Sequence, residues 1–282
     1  MLSVIILQYN NSHLTKTAIE SFEDWCDCEH EIILIDNASP DIESRRQAQV
    51  LKNVHFIQNS INEGFGKANN QAAKIAKGNI LLFLNNDTVS QSDFVTPVLE
   101  MFKHNPSIGV LGPQLLNKDQ SFQISSGALP TLRQELKDKI VYSLYDRKYS
   151  FAESYAKNNL SSSREVGWVS GAALFIDRFL FDAIGGFEEK MFMYFEDKDL
   201  CLRAHHAGKK VYYYADASLV HICSGSAEGK HIGITERYYR SSQMYYYCRH
   251  RPKVEQVLLK FYLTVGKRKY YDRKETLHLT RY

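Results

Sequence analysis

Four short apolar runs open the chain, each followed by a helical pattern, and this alternation restricts the fold more than any other feature. "SVIILQ" (3–8) precedes a helical pattern near 13–25, and "EIILID" (31–36) precedes one near 41–50. "VHFIQ" (54–58) precedes "GKANNQAAKIAKG", and "NILLFL" (79–84) precedes a pattern near 91–104. Unbroken β-branched runs between helices predict a parallel sheet covered on both faces, an α/β fold. Ligands of such sheets bind at the carboxyl ends of the strands. Those ends read "QYNNS", "DNASPD", "NSINEGFGKANN" and "NNDT". Asn, Asp and Gly also suit plain turns, the better reading of "DNASPD" taken alone. Four such ends on one sheet edge point to a site.

The second half is less regular. "SIGVLGPQLL" and "SFQISSG" read as strands, and 131–163 as a loop or short helices. "EVGWVSGAALFIDR" reads as one strand, and "RFLFDAIGG" as a short helix with a glycine stop. "FMYFEDKDLCLRAHHAG" follows as a helix and "KKVYYYADASLVHI" as the last strand. No repeat or linker interrupts the chain. The expectation is one domain over 1–236, divided at 112 into a ligand-binding half and a second half, with an extension over 237–282.

A composition of 44% hydrophobic and 24% charged residues excludes disorder throughout the chain. The five cysteines, Cys26, Cys28, Cys201, Cys223 and Cys248, are odd in number and show no zinc spacing, so they read as reduced cytosolic thiols. "MLSVIIL" lacks a basic leader and reads as a first strand rather than a signal peptide. No run approaches the roughly 20 apolar residues of a membrane span. The net charge of +3 conceals an asymmetry: residues 237–282 hold 12 Lys/Arg against 3 Asp/Glu, and the body before them is acidic.

"GFGKAN" is no dinucleotide fingerprint, because its third glycine is missing and it follows the third strand. "FLNNDT" runs a buried strand into Asp87 at the sheet edge, where Mg²⁺ or Mn²⁺ would find an oxygen ligand. Alone it is equally an Asx turn. His221 ends the last strand before a Gly/Ser turn; a lone histidine there is as readily structural. Trp168, in "GWVSGAALF", reads more often as core than as site.

Together these segments resemble the inverting family 2 glycosyltransferases of GT-A fold, within them the rhamnosyltransferase-like enzymes of bacterial surface polysaccharide assembly. The matching stretches are "VIILQYNN", "ILIDNASPD", "NEGFGKANNQA", "LLFLNNDT", "SLVHICSGS" and the long run from Gly167 through "FEDKDLCLR" to Tyr214. The resemblance implies a nucleotide-sugar site in which Tyr9 lines the base pocket and Asp36 and Asn37 contact base and ribose. It places Asn62, Gly64 and Lys67 along the nucleotide and Asn86 near the ribose. It makes Asp87 and His221 ligands of Mg²⁺ or Mn²⁺, Asp197 the catalytic base with Glu196 beside it, and Trp168 an acceptor contact. The chain departs from the family in having Asn-Asn-Asp where many members have Asp-x-Asp, and Asn37 where many have a second Asp. The base, uracil or thymine, is left open.

The chemistry fits the "EDKD" turn. Inverting transfer needs an ionised base, and a helix N-terminus favours that form by about 0.3–1 kcal/mol. Glu196 next to Asp197 would push the other way and raise its pKa, while Met191–Phe195 would limit water. Asp199 and Arg203, four apart, are expected to pair along the helix. An acid-capped helix is the plain alternative.

The extension interleaves basic residues with Tyr239, Tyr245, Tyr246, Tyr247, Tyr262, Tyr270 and Tyr271. No nucleic-acid motif accompanies it. Contact with anionic lipid is expected, since acceptors of similar enzymes are lipid-linked saccharides at the inner face of the cell membrane; a tail helix packed on the domain is the competing reading. A nucleotidyltransferase and an inactive nucleotide- or glycan-binding module are the other functional readings. The first would need a phosphate loop that "QYNNSHLTK" does not provide.

Overall fold

The computed structural model describes residues 1–147, 149, 160–222 and 232–264. The four opening runs are strands β1 (Leu2–Gln8), β2 (His30–Asp36), β3 (Val54–Gln58) and β4 (Ile80–Asn85). Helices α1 (Ser12–Glu23), α2 (Ile42–Gln49) and α3 (Phe65–Ile75) join them. The strands pair in parallel in the order β3-β2-β1-β4. Ile5 and Ile33 pack with Phe83, Leu174 and Leu200 on one face, while Val4 and Ile6 pack with Phe22, Leu82 and Phe175 on the other. Two buried faces explain runs that are apolar at every position. α1 buries Ser12, Thr15, Ala18, Ile19 and Phe22, the spacing of a single helix face. Asp41 starts α2 by accepting from the backbone N–H groups of Glu43 and Ser44.

The chain continues through β5 (Thr88–Val89), α4 (Val95–His104), β6 (Ile108–Leu116), β7 (Ser126–Gly127) and α5 (Leu132–Asp146). It then forms β8 (Arg164–Glu165), β9 (Trp168–Val169), β10 (Ala173–Asp177), α6 (Arg178–Ala183), α7 (Glu196–His206), β11 (Lys210–His221) and α8 (Ile232–His250). Residues 253–264 are helical again. β10 inserts antiparallel between β4 and β6, β11 lies parallel to β6, and β5 pairs antiparallel with β11. The sheet is therefore mixed but mainly parallel, and the boundary expected at 112 falls inside β6.

"EVGWVSGAALFIDR" is three short strands, not one. β8 pairs with β11, β9 with β7, and β10 with β4 and β6. Gly167 marks the first break: a Cβ there would lie 2.2 Å from the Leu129 amide nitrogen. "SFQISSG" supplies only β7 and a bridge from Phe122 to Leu116. Part of 131–163, expected as loop or short helices, is the 15-residue helix α5.

The start of the extension forms a third core. Tyr246, Tyr247 and Leu259 bury against Met191 and Phe195, and Tyr238 stacks on Phe192 at 4.3 Å. Buried Asp199 accepts from Arg203 Nε at 2.7 Å, the expected pairing, and lies 2.6 Å from His250 Nε2 on α8. Tyr246 and Tyr247 thus pack in protein; Tyr262 is exposed, and Tyr270 and Tyr271 lie outside the described residues.

Candidate active site

Because β10 runs against its neighbours, its amino end meets the carboxyl end of β4. The Asn85 N–H donates to the Ala172 carbonyl at 2.9 Å there. Beside this junction stands Asp197, in the first turn of α7. Its Oδ2 accepts from the Gly171 N–H at 3.2 Å and its Oδ1 from the Lys198 N–H at 2.7 Å. Tyr194 and Phe195, just before the helix, both adopt left-handed φ values, 70° and 68°. Such conformations are costly for non-glycine residues and persist only where packing holds them; here the buried Phe195 ring does so. The turn brings α7 against Gly171.

Burial raises the Asp197 carboxyl above its ordinary range, opposed by the Lys198 charge and by the Gly171 and Lys198 N–H groups. Burial and then the Asp197 charge push Glu196 well higher, and Glu196 Oε2 is buried without a hydrogen-bond partner. Both carboxyls are held above the ordinary range, Glu196 further than Asp197, and of the two only Asp197 is held by backbone N–H groups of Gly171 and Lys198.

The pairing of His221 with Thr88 brings His221 Nε2 to 3.2 Å from Asp87 Oδ1. Gln123 Oε1 lies 2.7 Å from His221 Nδ1. An amide oxygen only accepts, so Nδ1 donates to Gln123, and Nε2 is the ring nitrogen that faces the Asp87 carboxylate. Asn85 Nδ2 lies 3.2 Å from the same nitrogen. An imidazole nitrogen beside a carboxylate oxygen is a donor set that fits a divalent metal ion. The sequence reading missed Gln123, which comes 98 residues before His221 in no recognisable motif.

The other strand-end residues build a frame. Asp36, fully buried, accepts from Gln8 Nε2 and the Ser39 N–H, each at 2.9 Å, and from Ser39 Oγ at 2.5 Å. Asn37 donates to Asn62 Oδ1 and the Gly64 carbonyl, and accepts from Asn59 Nδ2 and the Glu63 N–H. These two side chains, expected on base and ribose, fasten the ends of β1, β2 and β3 to the start of α3. Gln8, Ser39 and Asn59, which the sequence reading passed over, complete that frame. Gly64 has φ +80°, and a Cβ there would sit 2.5 Å from the Phe192 carbonyl oxygen. Only glycine lets α3 begin so close to the segment leading into α7.

Asn86 Nδ2 donates to Thr15 Oγ1 at 3.1 Å. Lys67 pairs with Glu63 at 2.5 Å. Tyr9 is 49% exposed at the sheet edge. Trp168 is only 8% exposed, with Lys198 Nζ 4.7 Å above its ring. Its face is thus covered, and it walls rather than floors the neighbouring space. A cavity of about 660 Å³, lined by Ser126, Gly127, Gln134, Asp138, Arg164 and His205 among others, shares Gly127 with that wall.

A family model described as Glycosyl transferase family 2 matches residues 3–164. The N-acetylglucosaminyl-diphospho-decaprenol L-rhamnosyltransferase of Mycobacterium tuberculosis is 28% identical over 202 residues, covering 67% of this chain and 66% of its own length, just under two thirds. Rhamnosyltransferase WbbL of Escherichia coli is 23% identical over 241 residues, covering 78% of this chain and 83% of that one. Among solved structures, the mannosyltransferase PcManGT from Pyrobaculum calidifontis, in complex with GDP-Man and Mn²⁺, superposes with a TM-score of 0.58 at 16% identity. That superposition covers 92% of this chain and 68% of the other. The shared architecture is the GT-A fold expected from the sequence.

Proposed function

The chain belongs to glycosyl transferase family 2, and we propose that it transfers a sugar with inversion from a nucleotide-diphosphate donor to a lipid-linked saccharide. The observation that carries this reading is the Asp197 carboxylate, held by two backbone N–H groups beside the buried Glu196. In a single displacement the acceptor oxygen attacks the anomeric carbon while the carbon–oxygen bond to the diphosphate breaks. Asp197 takes the acceptor proton, and the nucleoside diphosphate leaves. Met191 and Phe195, buried beside α7, limit the water that would otherwise hydrolyse the donor. Asp87 and His221 would hold Mn²⁺ or Mg²⁺, which supplies charge neutralisation for the leaving diphosphate. The frame around Asn37 and Gly64 orients the nucleotide, of uridine or thymidine type, and Tyr9 offers its ring to the base. Rhamnose is the sugar favoured by the two relatives, and a saccharide on a polyprenyl diphosphate is the acceptor favoured by one of them.

The test is a panel of dTDP- and UDP-sugars, scored by thermal shift with Mn²⁺ and then by transfer to a lipid-linked acceptor. Asp87→Ala and His221→Ala should each weaken Mn²⁺-dependent nucleotide binding by at least about 10-fold. Full activity in EDTA would remove the metal from the reading. No protection and no donor turnover across the panel would remove the transfer itself.

The acceptor's lipid would place the enzyme peripherally at the cytoplasmic face of the cell membrane. No helix among the described residues is long and apolar enough to cross one. The helix at 253–264 instead exposes Val254, Val257, Leu258 and Phe261 at helical spacing, beside exposed Lys253 and Lys260. Leu136 and Ile140 are exposed on α5, which Lys139 ties to Tyr262 OH at 2.7 Å. That apolar surface and the basic charge of 237–282 complement an anionic bilayer. Binding to phosphatidylglycerol vesicles should be strong at low salt and fade as salt rises. Phe261→Asp should weaken it about 10-fold or more, since burying a phenylalanine contributes about 1.5–3 kcal/mol. Indifference of the full chain to such vesicles would reject the membrane contact.

A further inference from the structure

The opposite edge of the sheet carries a constellation that sugar transfer does not use. Between the end of α1 and the start of β2 the chain reads Cys26-x-Cys28-x-His30. The two Sγ atoms lie 3.3 Å apart, and Cys26 Sγ lies 3.8 Å from His30 Nδ1. The three candidate ligand atoms all fall within 4.8 Å of one another. A tetrahedral zinc ion with bonds of about 2.3 Å to sulfur and 2.0–2.1 Å to nitrogen holds two sulfurs about 3.8 Å apart and a sulfur and nitrogen about 3.6 Å apart. The Sγ–Sγ side and the side from Cys26 Sγ to the imidazole depart from that geometry by about half an ångström or less, and the third side stays within 4.8 Å. Phe22 sets the imidazole plane, edge to face at 5.2 Å. His30 Nδ1 rests 2.8 Å from the Cys28 carbonyl oxygen, a contact that metal binding would exchange. Cys26 is buried, while Cys28 and His30 are partly open and leave a way in.

We propose that Cys26, Cys28 and His30 form a structural site for Zn²⁺. Two thiolates and one imidazole are soft to borderline donors, the set that selects zinc over Mg²⁺ or Mn²⁺. Both thiol protons are released on binding, and the two thiolates neutralise the dication. The fourth position is open to water. Bound there, the ion pins the end of α1 to the start of β2, at the amino edge of the sheet and away from Asp197. C-x-C matches no common zinc spacing, and the third ligand comes from the first residue of β2.

The experiment uses the full chain carrying His221→Ala, which disables the other candidate metal pair, reduced with a phosphine and titrated with Zn²⁺ alone. One equivalent should bind and raise Tm, and Co²⁺ in its place should give a near-ultraviolet thiolate charge-transfer band. Cys28→Ser should weaken uptake at least about 100-fold and remove the band, and His30→Gln should cost about 10- to 100-fold. Cys248→Ser, exposed on α8, should change nothing. Cys28→Ser carries the test if Cys26→Ser fails to fold, because Cys28 is the less buried thiol. No uptake by the reduced protein, or uptake unchanged in Cys28→Ser, overturns the proposal and leaves the transferase reading untouched.

Discussion

Asp197→Asn is expected to lower kcat by about 10²- to 10⁴-fold, the usual contribution of a general base, while nucleotide-sugar affinity stays within a few-fold of wild type. The amide keeps the shape of the carboxylate at Gly171 and Lys198 but cannot take a proton. A base is needed only during the chemistry, so its loss should fall on kcat and not on donor binding. The pH profile adds a second readout. Burial raises the Asp197 carboxyl, so the wild-type rate should fall with acidification through a limb above the ordinary aspartate value of about 3.9. That limb should vanish from the residual rate of the variant. More than about a tenth of wild-type kcat in Asp197→Asn, or an acid limb at the ordinary value, would take Asp197 out of the role.

Asp199→Ala should have the largest effect on stability. Asp199 is fully buried, and its two oxygens face Arg203 and His250. Removing it strands two mostly buried side chains, and breaking such a network costs about 3–5 kcal/mol. In a chain of this size Tm should drop by roughly 6 °C or more. The damage should begin where α7 meets α8, so limited proteolysis should cut near 232–250 before the sheet opens. A Tm within about 2 °C of wild type would show that water reaches the site and replaces the carboxylate.

Much of the fold was legible because its first half is repetitive chemistry. β1, β2 and β4 are apolar at successive positions because both faces are covered, and their polar ends lie where strands of an open sheet present ligands. The charged turn of α7 was legible through the unusual density of carboxylates behind Met191–Phe195. What escaped was long-range. Nothing local says that β10 enters the sheet backwards, or that Gln123 holds His221. The hydrogen bonds by which Asp36 and Asn37 frame the strand ends are equally silent, because a polar side chain that binds a ligand and one that ties a loop look the same in one dimension. Tail tyrosines read as lipid-seeking are partly core, because a sequence shows amphipathic composition without showing what covers it.

The place of β10 also governs how the chain can assemble. β4 and β6 are close in sequence, yet the strand that joins them begins only at Ala173. A nascent chain that has completed β1 to β4 thus presents an apolar, unpaired edge until some 90 further residues have emerged. Long-range pairing of this kind is slow to nucleate, and open edges invite association with other chains. The strand that places Gly171 beside Asp197 is therefore also the one that closes the sheet. A molecule stalled before it lacks the Gly171 contact to Asp197 and keeps a surface that other chains can extend.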